Sequence, residues 1–280
     1  MTIIDLLQMK KFDTSKRIKL VRHMDKRCDF YKLVLHDQIE TYQSYQSKDI
    51  FNCDYIISFI GGEGSRAIFY GVYKILGVPE SAMNHPIPED FLFPEMANKD
   101  TDIFYNLKKV EGFEDFENTV VIEWGKSALA WHQHLTDKKV IEILPKGKIK
   151  EFPGYLSFII DFMELQLMYK YKEANNKWKE MLSAVNGIYL IVDTKTGMQY
   201  IGSTYGTNGI WGRWEVYAKT GHGNNKKLEE NLLVDEKYMF NYQFSILQTL
   251  SKSMTKNEII GYESFYKKKL GSRAFGLNMN

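Results

Sequence analysis

The alternation of apolar and polar residues along the chain predicts two regions of different character. Between about residues 54 and 144, short runs of aromatic and β-branched residues alternate with polar stretches, as in a barrel or a strongly curved sheet. From residue 155 to 184, apolar residues recur at steps of three and four, which predicts two helical segments. We therefore expect an α+β protein with a β-rich domain at 1–152, a helical connector at 153–184 and a further domain at 185–280. The alternative for the helical segment is a packed extension of the last domain.

A β-hairpin is predicted at the beginning of the last domain. Gly187–Val192 and Met198–Gly202 are rich in β-branched and aromatic residues, and the polar segment between them ends in Gly197, which tolerates positive φ. Tyr189 and Tyr200 lie on these two runs. The segment therefore predicts two antiparallel strands that carry one phenol group each.

A helix is predicted to follow the hairpin. The ten residues that begin at Ile210 suit a helix in which Arg213 and Tyr217, four residues apart, share one face. Phe240–Leu247 is the predicted third strand, and a capping box at Thr255 begins another helix. We expect the arginine, this tyrosine and the two hairpin tyrosines to converge near one end of the hairpin.

Five motifs of this domain, in this order, resemble those of the GIY-YIG nuclease family. They are Gly187-Ile188-Tyr189, Tyr200-Ile201-Gly202, Arg213 with Tyr217, Glu263, and Asn278 in Gly-Leu-Asn. The resemblance covers about the last third of the chain and implies an α/β nuclease domain with a three-stranded antiparallel sheet. One departure is Ser203, which follows the second motif where relatives from DNA excision repair often carry a basic residue.

The resemblance also implies a role for each motif in phosphodiester hydrolysis. Tyr189 would be the general base toward water, helped by a metal ion or a neighbour because a phenol ordinarily titrates near pH 10. Arg213 would contact the scissile phosphate, and Tyr200 and Tyr217 would orient water and phosphate. Glu263 would hold Mg²⁺ or Mn²⁺, since Mg²⁺ prefers one or two carboxylates together with waters and phosphate oxygens.

Further residues of the domain are candidates for supporting roles. By the family pattern, Asn278 would steady the backbone of the active site. His222 lies in a Gly-rich loop, where it could transfer a proton or hold a phosphate, and a purely structural role is the alternative. The residues expected to contact the DNA backbone are Lys226, Lys267, Lys268, Lys269 and Arg273.

The first domain carries aromatic and amide side chains that could recognise a base. Two strands near residues 55–76 resemble, without a defined motif, the PUA-like barrels that include readers of modified bases. Flipped bases are held by stacking and read by hydrogen bonds. The candidates for base recognition are Tyr42, Gln43, Trp124, Trp131, His132 and Gln133. The alternative is that these residues pack in a helix, the core or the barrel rim. A half-buried strand is predicted at 17–23, whose basic residues are a solvated face or a phosphate contact.

Charge and composition narrow the class of protein. Residues 185–280 hold 12 Lys and Arg against 8 Asp and Glu, whereas the remaining residues hold 25 against 27, so a polyanionic partner suits the last domain. No apolar stretch is long enough to cross a membrane, and no signal peptide is evident. With only two cysteines, Cys28 and Cys53, we expect a cytoplasmic protein with reduced thiols.

These observations predict a metal-dependent endonuclease that hydrolyses double-stranded DNA. The leading hypothesis is a restriction-type enzyme in phage defence, in which the first domain recognises DNA or a modified base. The alternatives are a repair or mobile-element endonuclease and a catalytically silent DNA-binding protein with a nuclease fold. Because each chain carries one site, a homodimer or transient pairing of two chains on DNA is expected when both strands are cut.

Overall fold

The computed structural model describes residues 1–97, 100–125 and 130–278. The chain forms two compact units, Met1–Lys146 and Gly147–Asn280. Both combine helices with a sheet, so the predicted α+β class is confirmed. None of the helices described in the structure has the length and apolarity that a bilayer crossing requires.

The first unit is built on a curled sheet of eight described strands with three short helices. The strand order is β2-β5-β4-β3-β1-β7, with β6 joined to β4 and β8 joined to β6. The elements are α1 (Ile3–Met9), β1 (Ile18–His23), α2 (Phe30–Leu35), α3 (Ile39–Ser44), β2 (Tyr45–Gln46), β3 (Tyr55–Gly61), β4 (Arg66–Ser81), β5 (Ile103–Lys109), β6 (Val120–Glu123), β7 (His132–His134) and β8 (Val140–Ile143).

The long strand β4 organises this sheet. It pairs along one edge with β3, and along the other edge with both β5 and β6 at different points of its length. The turn at residues 62–65 joins β3 and β4 as an antiparallel hairpin. Only β1 and β3 run parallel among the described pairs.

Strand β1 corrects the expectation of a half-buried strand. All its residues except Lys19 are buried, including Arg22 and His23. Leu20 belongs to an apolar cluster on one side of the strand and Val21 to a second cluster on the other side. Alternating residues of β1 therefore enter two cores, and the basic residues at its end are not a solvated face.

The second unit contains a four-stranded antiparallel sheet in the order β11-β10-β12-β9. The three predicted strands form most of it, and the two-residue strand β9 adds to its edge. The elements are β9 (Ile160–Asp161), α4 (Phe162–Lys170), α5 (Asn176–Ala184), β10 (Asn186–Asp193), β11 (Gln199–Thr204), α6 (Gly209–Thr220), α7 (Lys226–Val234), β12 (Tyr242–Leu250) and α8 (Lys256–Lys269).

The helical segment before the hairpin packs within the second unit. Helix α4 begins at Phe162 and not at residue 155, because Asp161 and Glu164 form a capping box that starts the helix there. The Tyr169 hydroxyl donates to the Trp211 carbonyl, which ties α4 to α6. The aromatic ring of Phe158 packs against Trp178 of α5 and Trp214 of α6. The segment thus covers the helix that carries Arg213.

Candidate active site

The hairpin places Tyr189 directly opposite Gly202. The two residues are partners in the antiparallel ladder between β10 and β11. A Cβ built on Gly202 would lie 2.2 Å from the Tyr189 hydroxyl, so the phenol ring occupies the space that any other residue would fill. A glycine is therefore needed at this position to admit the ring.

Arg213 joins two tyrosines into one hydrogen-bonded group. Its Nε donates to the Tyr189 hydroxyl at 3.1 Å, and its Nη2 donates to the Tyr217 hydroxyl at 3.2 Å. The two phenol oxygens lie 3.1 Å apart. The guanidinium carbon also lies 4.8 Å from the centre of the Tyr217 ring. We call these three residues the tyrosine–arginine cluster.

Burial determines the charge state of this cluster. It raises the pKa of Tyr189 and of Tyr217, while the positive charge of Arg213 acts in the opposite direction. Burial lowers the pKa of Arg213, but the neighbouring phenol oxygens raise it and the net shift is upward. At neutral pH the phenols are protonated and the guanidinium is charged.

Glu263 lies on α8 and is held by two donors. The Ser203 hydroxyl donates to Glu263 Oε2, and Lys267 Nζ lies 2.7 Å from Glu263 Oε1. Lys267 is only 3 % exposed. The sequence predicts a contact with the DNA backbone for Lys267, Lys268 and Lys269. The last two are exposed, but the structure pairs Lys267 with Glu263.

The tyrosine–arginine cluster and Glu263 reach the same cleft from opposite faces of the sheet. β11 is the edge strand. Tyr189, which pairs with Gly202 of β11, packs toward α6, where its ring contacts Trp214 edge-on. Ser203 follows Gly202 on β11 and therefore lies on the other face of the sheet, where it contacts α8. A cleft of about 720 Å³ lies at this edge. Its polar lining includes Tyr189, Tyr200, Ser203, Arg213, Glu263, Lys267 and Arg273.

The donor set suits one weakly held divalent cation. Among the described residues, no group of three or more His, Cys, Asp and Glu side chains lies close enough to form a metal cage. Glu263 lines the cleft, and each of its oxygens has a second lone pair beyond the contacts to Ser203 and Lys267. A single carboxylate in an open cleft fits Mg²⁺ or Mn²⁺, which keep waters and phosphate oxygens as their other ligands.

Asn278 connects the end of the described chain to β11. Its Nδ2 donates to the Ile201 carbonyl at 2.8 Å, and its Oδ1 accepts from the Ile201 N–H at 2.9 Å. Asn278 is 2 % exposed. The side chain therefore holds the backbone of the edge strand between Tyr200 and Gly202.

The remaining candidates of this unit lie around the cleft at different distances. His222 is half-buried, and its Nδ1 accepts from the Asn224 N–H at 3.2 Å; the described lining of the cleft does not include it. Lys226 is the exposed first residue of α7. Arg273 is exposed and lines the cleft. Of these three, the structure brings only Arg273 to the site.

Two base-recognition candidates of the first unit lie in its core. Gln43 is fully buried, and its Oε1 accepts from Ser58 Oγ at 2.6 Å and lies 3.1 Å from His23 Nε2. Trp124 is fully buried, and its Nε1 donates to the Ala130 carbonyl at 2.8 Å. Neither side chain has surface to offer a base, so the structure supports the packing alternative for both.

The other four candidates are partly exposed. Tyr42 packs edge-on against Phe30, and Trp131 packs edge-on against His132 with 4.8 Å between the ring centres. Gln133 accepts a hydrogen bond from Lys138 Nζ at 2.9 Å. The half-buried residues are Tyr42, Trp131, His132 and Gln133.

Sequence reasoning missed how Ser203 and Lys267 take part in the site. Lys267 lies four residues after Glu263 on one helix, and this spacing is a recognised signal for an ion pair. The sequence offers no comparable signal for Ser203, because its contact with Glu263 depends on how α8 packs on the sheet.

Comparisons with known proteins return a limited set of matches. No protein-family model matches the chain, and a search of curated proteins finds no match. Among solved structures, the chain is similar to the catalytic domain of the homing endonuclease I-TevI, with 27% identity over 34% of this chain and 98% of that chain, at a TM-score of 0.27. A mutant of the same domain, described as an intron endonuclease, matches with 26% identity over 34% of this chain and 94% of that chain, also at a TM-score of 0.27. A likeness with so low a TM-score carries no conclusion about the function of this chain.

Proposed function

We propose that this chain is a metal-dependent endonuclease that hydrolyses phosphodiester bonds in double-stranded DNA. The observation that supports it best is the cleft itself, where an arginine bound to two tyrosines faces a carboxylate held by Ser203 and Lys267. Cationic and hydroxyl groups on one side and a hard oxygen ligand on the other suit a phosphate between them.

Arg213 would bind the scissile phosphate. Two of its N–H donors hold the hydroxyls of Tyr189 and Tyr217, and a guanidinium has five donors, so donors remain for phosphate oxygens. The two tyrosines fix the orientation of the guanidinium before the substrate arrives. A donor that is positioned in advance stabilises the charge that develops on the phosphate in the transition state.

Tyr189 would accept the proton of the attacking water. Its burial opposes ionisation, whereas the guanidinium that donates to its oxygen favours the phenolate. Tyr189 would first lose its own proton to solvent in the cleft, and the Tyr217 hydroxyl, 3.1 Å from the same oxygen, would donate a hydrogen bond to the resulting phenolate. A Mg²⁺ or Mn²⁺ ion on Glu263 would supply Lewis-acid stabilisation of the phosphate.

The choice of DNA would belong to the first unit, and the enzyme would be of the restriction type in phage defence. The half-buried rings of Tyr42, Trp131 and His132 are partly exposed at its surface, whereas the Gln133 amide oxygen already accepts from Lys138 Nζ. Such groups suit stacking and hydrogen bonding to an extruded, modified base. Cutting of both strands would use two copies of the chain, since each carries one cleft.

Cleavage assays with matched DNAs test this proposal. Unmodified, 5-methylcytosine, 5-hydroxymethylcytosine and glucosylated DNAs are incubated with Mg²⁺ and the wild-type protein, Glu263→Gln or the control Glu230→Gln, whose site is exposed on α7. We expect cleavage by the wild type and the control and none by Glu263→Gln. Cleavage confined to one modified class supports the modified-base specificity, and equal cleavage of all four DNAs contradicts it. Failure of the wild type to cut any of the four DNAs contradicts the proposed endonuclease activity.

A further inference from the structure

Lys267 is a buried cation at the candidate cation site. Its side chain is 4 % exposed, and its Nζ lies 2.7 Å from Oε1 of Glu263, one turn earlier on α8. An ammonium group that leaves water is costly unless a charged partner compensates it. The next two residues of the helix, Lys268 and Lys269, are exposed. Lys267 is therefore distinct from its neighbours, and its place beside Glu263 calls for a separate explanation.

The contacts of Glu263 show that its carboxylate is held from two sides. Lys267 binds Oε1, while the Ser203 hydroxyl from β11 donates to Oε2. Together these donors restrict rotation of the carboxylate and keep it at the cleft. Restriction of this kind is what supporting residues provide to a metal ligand.

The charge of Lys267 also changes what Glu263 can bind. A lone carboxylate offers a divalent cation one negative charge, but the carboxylate and the ammonium together carry none. The ammonium also repels an incoming divalent cation at short range, where the medium screens charge less than bulk water does. A phosphate group in the cleft would restore the negative charge that the cation needs.

We propose that Lys267 is a positioning residue that holds Glu263 and weakens its binding of a divalent cation until a phosphate enters the cleft. The inference rests on the role of Glu263 in the proposed nuclease. In the free protein, the ion pair keeps the carboxylate oriented and its charge balanced. With DNA bound, phosphate oxygens complete the ligand set, so the cation and the substrate bind cooperatively.

Mn²⁺ binding in the absence of DNA provides the test. Isothermal titration calorimetry is carried out on the wild type and on Lys267→Met, whose unbranched side chain is one atom shorter and carries no charge. We expect the variant to bind Mn²⁺ roughly tenfold more tightly or better, since a repelling charge beside the ligand is removed. Lys267→Arg should remain close to the wild type, and so should the matched control Lys268→Met, the exposed lysine next in sequence. Adding Glu263→Gln to the Lys267→Met variant should abolish the Mn²⁺ binding.

Equal Mn²⁺ affinity in the wild type and Lys267→Met overturns the inference, and so does the absence of binding in both. Circular dichroism and thermal melting verify that each variant folds, and Lys267→Gln carries the same comparison if the methionine variant does not. A purely structural role of Lys267 would not tighten cation binding.

The same variants separate this inference from the proposed function. If the wild type cuts no DNA but Lys267→Met binds Mn²⁺ more tightly, the endonuclease fails and the cation site with its positioning lysine remains. If DNA is cut but the affinities are equal, the endonuclease remains and the role of Lys267 fails. When both hold, cleavage by Lys267→Met should reach half its maximal rate at a lower Mg²⁺ concentration than cleavage by the wild type.

Discussion

Each unit of this protein contains a cluster of polar side chains withdrawn from water, and the two clusters differ in what they face. In the second unit, Arg213 and its two tyrosines line a cleft. In the first unit, Gln43 accepts from Ser58 and contacts His23, and the buried residues around them belong to an apolar core. The cluster of the second unit faces a space that a ligand can enter, whereas the cluster of the first unit is enclosed.

The comparison shows that buried polar groups alone do not identify a functional site. Both clusters satisfy most of their hydrogen bonds internally, as buried polar groups must. Burial also shifts pKa values in both, downward for His23 and upward for Tyr189. The distinguishing feature of the second cluster is its opening toward Glu263 across the cleft. Substitutions in the two clusters should therefore affect different properties.

The largest expected effect is loss of cleavage on Arg213→Ala. The variant removes the donor that would bind the phosphate, and one donor of this kind is worth a factor of about 10² to 10³ in rate. Because this donor is charged, we expect a fall of about 10³-fold or more. Lys219→Ala, an exposed lysine on the same helix, is the control and should cut at the wild-type rate. A rate within tenfold of the wild type for Arg213→Ala would exclude the phosphate-binding role.

A smaller loss is expected when the packing behind the cluster is disturbed. In Gly202→Ala the new methyl group would lie 2.2 Å from the Tyr189 hydroxyl, so the ring must move. A displacement of about 1 Å in a catalytic group costs on the order of 10²-fold in rate. Gly261→Ala is the matched control: its Cβ meets nothing within 4 Å, and alanine inside a helix adds about 0.5 to 1 kcal/mol of stability. Cleavage rates and melting temperatures are measured for both variants. Cleavage by Gly202→Ala at the rate of Gly261→Ala would contradict the prediction.

In the enclosed cluster, the expected effect is on the pH dependence of stability. Burial lowers the pKa of His23 from 6.5 to about 4, so folded His23 stays neutral while the unfolded chain takes up a proton below pH 6.5. The unfolded state then binds more protons, and the free energy of unfolding falls as the pH drops from 6.5 to 4, by about 3 kcal/mol from this group. Chemical denaturation of His23→Gln between pH 4 and 8 should show a shallower fall than the wild type. Parallel curves would contradict the prediction, and cleavage at neutral pH by the folded variant should be unchanged.

The smallest effect is expected at the surface beside the cleft. Lys268 and Lys269 are exposed at the end of α8, where they would contact phosphates. Replacing both by alanine should reduce the slope of log affinity against log salt by about one for each phosphate that is no longer neutralised. Lys177→Ala, exposed on α5, is the control. Binding isotherms of a catalytically inactive protein at several salt concentrations measure the slope, and an unchanged slope in the double variant removes these lysines from the interface.

Local sequence signals account for the parts of the structure that depend on neighbouring residues. The hairpin of β10 and β11 follows from two apolar runs around a turn, and the start of α8 follows from the capping box at Thr255. The i, i+4 spacing of Arg213 and Tyr217 indicated that both side chains would lie together. In the structure, each lies within hydrogen-bond distance of the Tyr189 hydroxyl, and Arg213 also donates to the Tyr217 hydroxyl. Periodicity was less successful at the start of α4, where apolar residues before Phe162 continue the helical pattern although the chain there forms a turn and a short strand.

By itself, the sequence determined which chemical groups the second unit carries and in which order, because motif residues and turn signals act over a few positions. Only the tertiary structure decided where these groups face. Edge strand β11 lets residues from its two faces meet in one cleft, so that Ser203 completes the Glu263 site. It also decided that β1 is buried on both faces and that Gln43 and Trp124 lie in the core. These outcomes depend on contacts between residues tens of positions apart, whose packing no local pattern of polar and apolar residues specifies.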